Sequence, residues 1–136
     1  MSDERRITIR SDDDVVDARR EARELAASLG FEPTDLTLLA TAISEVARNI
    51  TAYAGEGEIV VSVRNSGARV GISVVARDAG PGIDDVDLAL RDGYSTGDGL
   101  GLGLPGARRL VDEFAIDTAP GRGTVVTMVK WGPNLR

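Results

Sequence analysis

The sequence predicts an α/β fold of the α+β two-layer sandwich type, with helices on one face of a mixed, mostly antiparallel sheet. Two observations carry this prediction. The first part of the chain holds two long stretches with apolar residues at helical spacing, while the segments around them alternate apolar and polar residues as half-buried strands do. Turn residues, Asn65-Ser66-Gly67 and Pro120-Gly121-Arg122-Gly123, separate neighbouring alternating segments, so these segments pair as hairpins.

Taken in order, Ile7 and Ile9 alternate with polar residues and make a short first strand. Ser11 followed by Asp12, Asp13 and Asp14 suits a helix start, where acids oppose the dipole. Val15, Ala18, Ala22, Leu25, Ala26 and Leu29 then form one helix face, and Gly30 stops it. A second helix is predicted from Pro33 to about Tyr53, since Pro is well placed in a first turn. Its stripe is Leu36, Leu39, Ala40, Ile43, Ala47 and Ile50. Ile59, Val61 and Val63, then Val70, Ile72, Val74 and Ala76, are the strands of the first hairpin. A short helical turn over 84–91 and a helix from about Pro105 to Glu113 come next. Ala115 to Thr118 and Thr124 to Val129 form the last hairpin. With no internal repeat or linker, residues 1–136 read as one domain.

Composition excludes several function classes. A net charge of −6 argues against a nucleic-acid partner, which calls for a basic face. No apolar run reaches the length of a membrane span, and MSDERR lacks the apolar core of a signal peptide, so a cytoplasmic location is expected. With no Cys and no His, there is no thiolate nucleophile, no imidazole metal ligand and no phosphohistidine. The one Lys is Lys130, against fifteen Arg. Neither a Walker A loop nor the mid-domain lysine of an ordinary protein kinase is available.

The run Gly93 to Gly106 nevertheless holds six glycines and precedes a predicted helix. Glycine in that density lets backbone approach a ligand closely, and a helix start offers N–H groups to an anion, so the ligand expected is a phosphate. Gly101-x-Gly103-x-x-Gly106 has the letters of a dinucleotide fingerprint, but polar residues rather than a strand precede it. Two further patterns accompany it. Glu45 and Asn49, four apart, share a helix face turned away from the apolar stripe, for which the plain alternative is a solvated surface. Asp78-x-Gly80-x-Gly82 follows a strand, for which the plain alternative is a tight strand exit.

In this order and at these separations, Glu45-x-x-x-Asn49, Asp78-x-Gly80-x-Gly82 and Gly99-Leu100-Gly101-Leu102-Gly103-Leu104 resemble the N, G1 and G2 boxes of the GHKL (Bergerat-fold) ATPase and kinase superfamily. The resemblance runs from about Thr34 to Val129, and Gly123-Thr124 looks like the family's closing Gly-Thr. Asp92-Gly93-Tyr94-Ser95-Thr96 brings it nearer to the RsbT-type serine/threonine switch kinases of bacterial stress signalling. The resemblance implies ATP and Mg²⁺ as cofactors, with Asn49 holding the metal among the phosphates and Glu45 as catalytic base. It places Asp78 on the adenine amino group, with Gly80 and Gly82 leaving room for the purine and Thr124 supporting Asp78 and the base through a water. Gly99, Gly101 and Gly103 would let a lid wrap the phosphates. Arg48, Arg108 and Arg109 stay outside this site, as arginines that pair with nearby acids or solvent.

The implied activity is ATP-dependent phosphorylation of Ser or Thr on a STAS-domain antagonist protein, with a partner switch that activates a PP2C-type phosphatase. Two alternatives accompany it. One is an anti-sigma factor kinase of the RsbW or SpoIIAB type that sequesters a sigma factor. The other is a non-catalytic nucleotide-binding regulatory module.

Overall fold

Five strands and three helices appear in a computed structural model that describes residues 4–83 and 103–134. They are β1 (Glu4–Ile9), α1 (Asp12–Ser28), α2 (Pro33–Tyr53), β2 (Gly57–Ser66), β3 (Arg69–Asp78), α3 (Gly103–Leu110), β4 (Glu113–Thr118) and β5 (Thr124–Asn134). The helical turn expected over 84–91 lies outside the described residues. The strands form one sheet in the order β1-β2-β3-β5-β4. Every described pairing is antiparallel, so among the described residues the sheet shows no parallel pair of the mixed kind expected.

Helix α1 starts where its acids lie, but the cap differs from expectation. Ser11 has extended backbone and makes no capping bond to the helix; its hydroxyl instead donates to Asp14 (3.3 Å), which also accepts from the Arg10 amide (2.9 Å). The helix ends in a Schellman motif. The Phe31 amide donates to Ala26 O (3.2 Å) and the Gly30 amide to Ala27 O (3.1 Å), with Gly30 at φ 87°. Helix α2 keeps the predicted bounds, with Pro33 at its first turn.

The core lies between the helices and one sheet face. Ile59 and Val61 of β2, Ile72 and Val74 of β3 and Met128 of β5 are fully buried there with Leu25 of α1 and Leu39, Ile43, Val46 and Ile50 of α2. Each such side chain stabilises the fold by about 1.5–3 kcal/mol. Ala18, Ala22, Ala42 and Ala47, all at 0% exposure, let α1 and α2 pack closely.

Strand β5 runs five residues past its predicted end at Val129. Lys130-Trp131-Gly132-Pro133 breaks the apolar alternation, yet Trp131 still pairs with Gly71, whose missing Cβ makes room for the indole. The pairing of β4 to β5 stops at Glu113↔Val129, so Pro133 lies beyond it and removes no β4 bond. Helix α3 begins at Gly103 rather than Pro105 and ends at Leu110. It packs on α2 through Leu104 and Ala107, on the side opposite the apolar stripe, and this placement builds the site.

Candidate nucleotide site

Glu45, on the face of α2 turned away from the apolar stripe, is 7% exposed, and the start of α3 lies against that face. The Gly103 amide donates to Oε2 at 2.6 Å and the Arg48 guanidinium to Oε1 at 2.9 Å. Burying a carboxylate is costly unless donors replace the lost water, and these two do so. Arg48, set aside in the sequence reading, therefore belongs beside the site. Its i,i+3 spacing from Glu45 was the available signal. Gly103 enters differently from its expected place in a phosphate-wrapping lid: it is the first residue of α3, at φ 67°, and its amide is engaged by Glu45. Gly99 and Gly101 lie outside the described residues.

Asn49, one turn further along α2, is half-buried, and its amide makes no hydrogen bond to any described residue. The end of β3 reaches the same end of α2. Gly57, the ladder partner of Asp78, packs so tightly that a Cβ would lie 2.8 Å from Ile50 Cγ2 and 3.2 Å from Asp78 Cβ. A Cβ on Gly80 would lie 2.6 Å from Ala54 Cβ, just past the end of α2. Asp78 Oδ1 accepts from the Gly80 amide at 2.9 Å, which fixes the carboxylate in a tight turn.

These glycines have a physical reason beyond room for a purine. Gly80 lets the strand exit lie against Ala54. Gly82, at φ 79°, lies so close to Ala119 that a Cβ would overlap its carbonyl oxygen. The segment after β3 is thereby joined to the β4–β5 loop, where the Gly121 amide donates to Pro81 O at 2.6 Å.

Thr124 opens β5 directly opposite Asp78 and is 5% exposed. Its hydroxyl meets that of Thr118, its partner on β4, at 2.9 Å. Thr118 Oγ1 also contacts Gly123 O (2.8 Å) and the Ile83 amide (3.0 Å). Thr118 was missed from the sequence; the signal was two threonines facing each other across a predicted hairpin. Asp78, Thr124 and Thr118 thus lie side by side on three neighbouring strands.

The structure brings Glu45, Asn49, Asp78, Gly80, Gly82, Gly103 and Thr124 to one end of the sandwich. They sit on the C-terminal half of α2, the end of β3, the start of α3 and the start of β5. A carboxylate with remaining lone pairs beside an amide that no described residue engages, with a second carboxylate at the strand end, suits a polar ligand that brings hydrogen-bond donors or a cation.

Residues 10–130 match the family of the histidine kinase-like ATPase domain. The chain is 43% identical to the serine/threonine-protein kinase RsbT of Bacillus subtilis (strain 168) over 131 residues, covering 96% of this chain and 98% of that one. It is 29% identical to an anti-sigma F factor of Caldanaerobacter subterraneus subsp. tengcongensis over 118 residues, covering 84% and 82% of the two chains. Among solved structures it is similar to the RsbU and RsbW domains of Rv1364c from Mycobacterium tuberculosis, with a TM-score of 0.60 and 26% identity, over 96% of this chain and 33% of that one. A family match across most of the sequence, and a relative this similar over nearly its full length, show that the chain belongs to the histidine kinase-like ATPase family, the GHKL superfamily that its three boxes resemble.

Proposed function

We propose that this chain is a protein serine/threonine kinase that transfers the γ-phosphate of ATP to a Ser or Thr of a STAS-domain antagonist protein, and that it switches partner to activate a PP2C-type phosphatase. The observation that carries this reading is the buried Glu45 carboxylate, held between Arg48 and Gly103 one helical turn from Asn49, whose side-chain amide no described residue engages. Similarity to a serine/threonine-protein kinase over nearly the whole chain supports the reaction class.

Mg²⁺ fits Asn49 by the chemistry of the donors. The amide offers a neutral oxygen. Phosphate oxygens would complete the shell. Bound there, the metal would neutralise charge on the phosphates. Asp78 would accept from the adenine amino group through the oxygen not engaged by Gly80. Thr124 would support Asp78 and the adenine through a water. A carboxylate has about four lone-pair sites, and Glu45 uses two, so it can still accept the proton of the acceptor hydroxyl. As that hydroxyl oxygen bonds to the γ-phosphorus, the bond to the bridging oxygen breaks and its electron pair leaves with ADP.

The test is transfer of labelled γ-phosphate from Mg-ATP to a purified STAS-domain protein, with Asn49→Ala as companion. Transfer should occur, and Asn49→Ala should lose Mg²⁺-dependent ATP binding. No transfer to any STAS partner, or unchanged binding by Asn49→Ala, would overturn the reading. A second reading, an anti-sigma factor that also phosphorylates its antagonist, is favoured by similarity to an anti-sigma F factor over most of both chains. Capture of a sigma factor rather than a STAS protein and a phosphatase by the tagged chain would decide for it.

A further inference from the structure

We infer that the sheet face opposite the helices is the docking surface for the phosphatase, and that Trp131, Arg64 and Arg69 anchor an acidic patch of that partner. The inference rests on the partner proposed above; two observations carry the surface. The first is composition. None of the described helices lies on this face, since their buried side chains meet the other one. The solvated face of an antiparallel sheet ordinarily alternates in polar residues. Here the ladder neighbours Val60, Val75 and Thr127 fill the middle, with Val125 and Val129 beside them. These short, β-branched side chains make a flat strip, and covering it with a partner removes apolar surface from water.

The second is charge. Most charged side chains of this face pair with one another. Arg6 meets Glu4 (3.3 Å) and Glu58 (3.2 Å), Arg77 meets Glu58 (3.9 Å), and Asp117 meets Arg122 (3.3 Å). Glu113 accepts from the Trp131 indole N–H at 2.8 Å. Arg64 and Arg69 differ: among the described residues neither has a carboxylate partner. Arg69 lies over the Trp131 ring, 4.4 Å from its centroid, and Arg64 lies across Gly71 from Trp131 in the ladder. Two unneutralised cations thus flank a tryptophan in a chain of net charge −6. Trp131 is also fixed in place. Its backbone amide donates to Asp112 at 2.7 Å, and its ring rests where a Cβ on Gly71 would come within 2.7 Å of Cε3. Trp and Arg are the side chains that most often anchor protein interfaces, and anchors already ordered lose less entropy on binding. Carboxylates on the partner complement the two arginines.

The position of the face selects the phosphatase over the antagonist. An acceptor hydroxyl must reach Glu45, which is held between α2 and α3 on the other side of the sheet. Trp131 pairs with Gly71, seven residues along β3 from Asp78, or about 23 Å at the rise of a strand. A protein seated on the strip presents no side chain to the γ-phosphate. It is held without being phosphorylated, as the reading above requires of the phosphatase alone.

The experiment measures binding of a purified PP2C-type phosphatase to the full chain by titration calorimetry, and transfer of labelled γ-phosphate to a STAS-domain protein by the same preparations. Arg64→Glu and Arg69→Glu should each weaken phosphatase binding by about tenfold or more, with transfer unchanged. Arg64→Lys keeps the charge and should stay close to the wild type. Arg64→Glu keeps the test valid should Arg69→Glu disturb the Trp131 ring. If both reversals bind the phosphatase as the wild type does, the inference is overturned and the proposed function stands. If they lose transfer and keep the phosphatase, the face holds the antagonist, and the inference is again overturned. The same follows if the chain alone sediments as a dimer that the reversals make monomeric, since a second copy then covers the face. If no PP2C-type phosphatase binds the wild type, the partner proposed above is wrong, and this inference falls with it.

Discussion

Replacing Glu45 by Gln tests chemistry and stability at once, because the same two oxygens serve both. The carboxylate accepts from Gly103 at 2.6 Å and from Arg48 at 2.9 Å. Hydrogen bonds to a charged group contribute about 1.5–3 kcal/mol each, and neutral ones about 0.5–1.5. Gln keeps one oxygen, which the half-buried Gly103 amide would claim at a loss of about 1 kcal/mol. The NH₂ group would then face the Arg48 guanidinium, donor against donor. Arg48 is 55% exposed, so that loss is discounted to about 0.5–1 kcal/mol. A total near 2 kcal/mol lowers the melting temperature of a domain this size by about 6–8 °C. Loss of a positioned base lowers the transfer rate by about 10²–10⁴-fold. Calorimetry gives the first quantity and single-turnover transfer from saturating Mg-ATP the second. A variant that melts with the wild type would refute the hydrogen-bond accounting. A variant that melts lower yet transfers at the wild-type rate would leave Glu45 as an anchor for α3 and refute its role as base.

Three further perturbations probe neighbouring features. Arg48→Ala should lower single-turnover transfer by about three- to tenfold with ATP affinity unchanged, and Arg48→Lys should restore most of it, since the guanidinium holds Glu45 without taking part in binding. Gly82→Ala places a side chain at φ 79° against the Ala119 carbonyl, a strain of about 1–2 kcal/mol before the overlap is relieved. Its ATP affinity, measured by calorimetry, should fall at least tenfold while circular dichroism stays native. Ile43→Ala, in a position with no exposure, should cost about 2–5 kcal/mol in urea unfolding and leave ATP affinity intact well below the midpoint.

Much of this fold is legible in the sequence where one signal is long and unopposed. Helix α2 has Pro33 at its start and six stripe residues, and it forms between the predicted bounds. The hairpin of β2 and β3 follows from strict alternation around Gly67, which takes φ 62° in its turn. The failures occur where a distant contact overrides the local pattern. Strand β5 continues through Gly132 and Pro133 because Gly132 lies against the Phe31 ring, a contact no local pattern reveals. The burial of Glu45 was not legible, because the stripe on α2 accounts for only one side of the helix. The second side meets α3, an eight-residue helix that starts at Gly103 rather than at the expected Pro105 and buries Leu104 and Ala107. The residue types of the site were readable as a set, since Glu45, Asn49 and Asp78 recur in a family pattern. Thr118 was not, because its partners, Ile83, Gly123 and Thr124, come from two segments that only the fold brings together.

The bond between Gly103 and Glu45 has a spectroscopic consequence. An amide whose nitrogen lies 2.6 Å from a buried carboxylate oxygen has a strongly deshielded proton, so the Gly103 resonance should stand apart at low field in a proton–nitrogen spectrum. Glycine nitrogens also resonate apart from those of other residues, which aids assignment in a chain of 136 residues. That one peak would report, atom by atom, whether the carboxylate is engaged by the helix or released to another donor as nucleotide and protein partners are added.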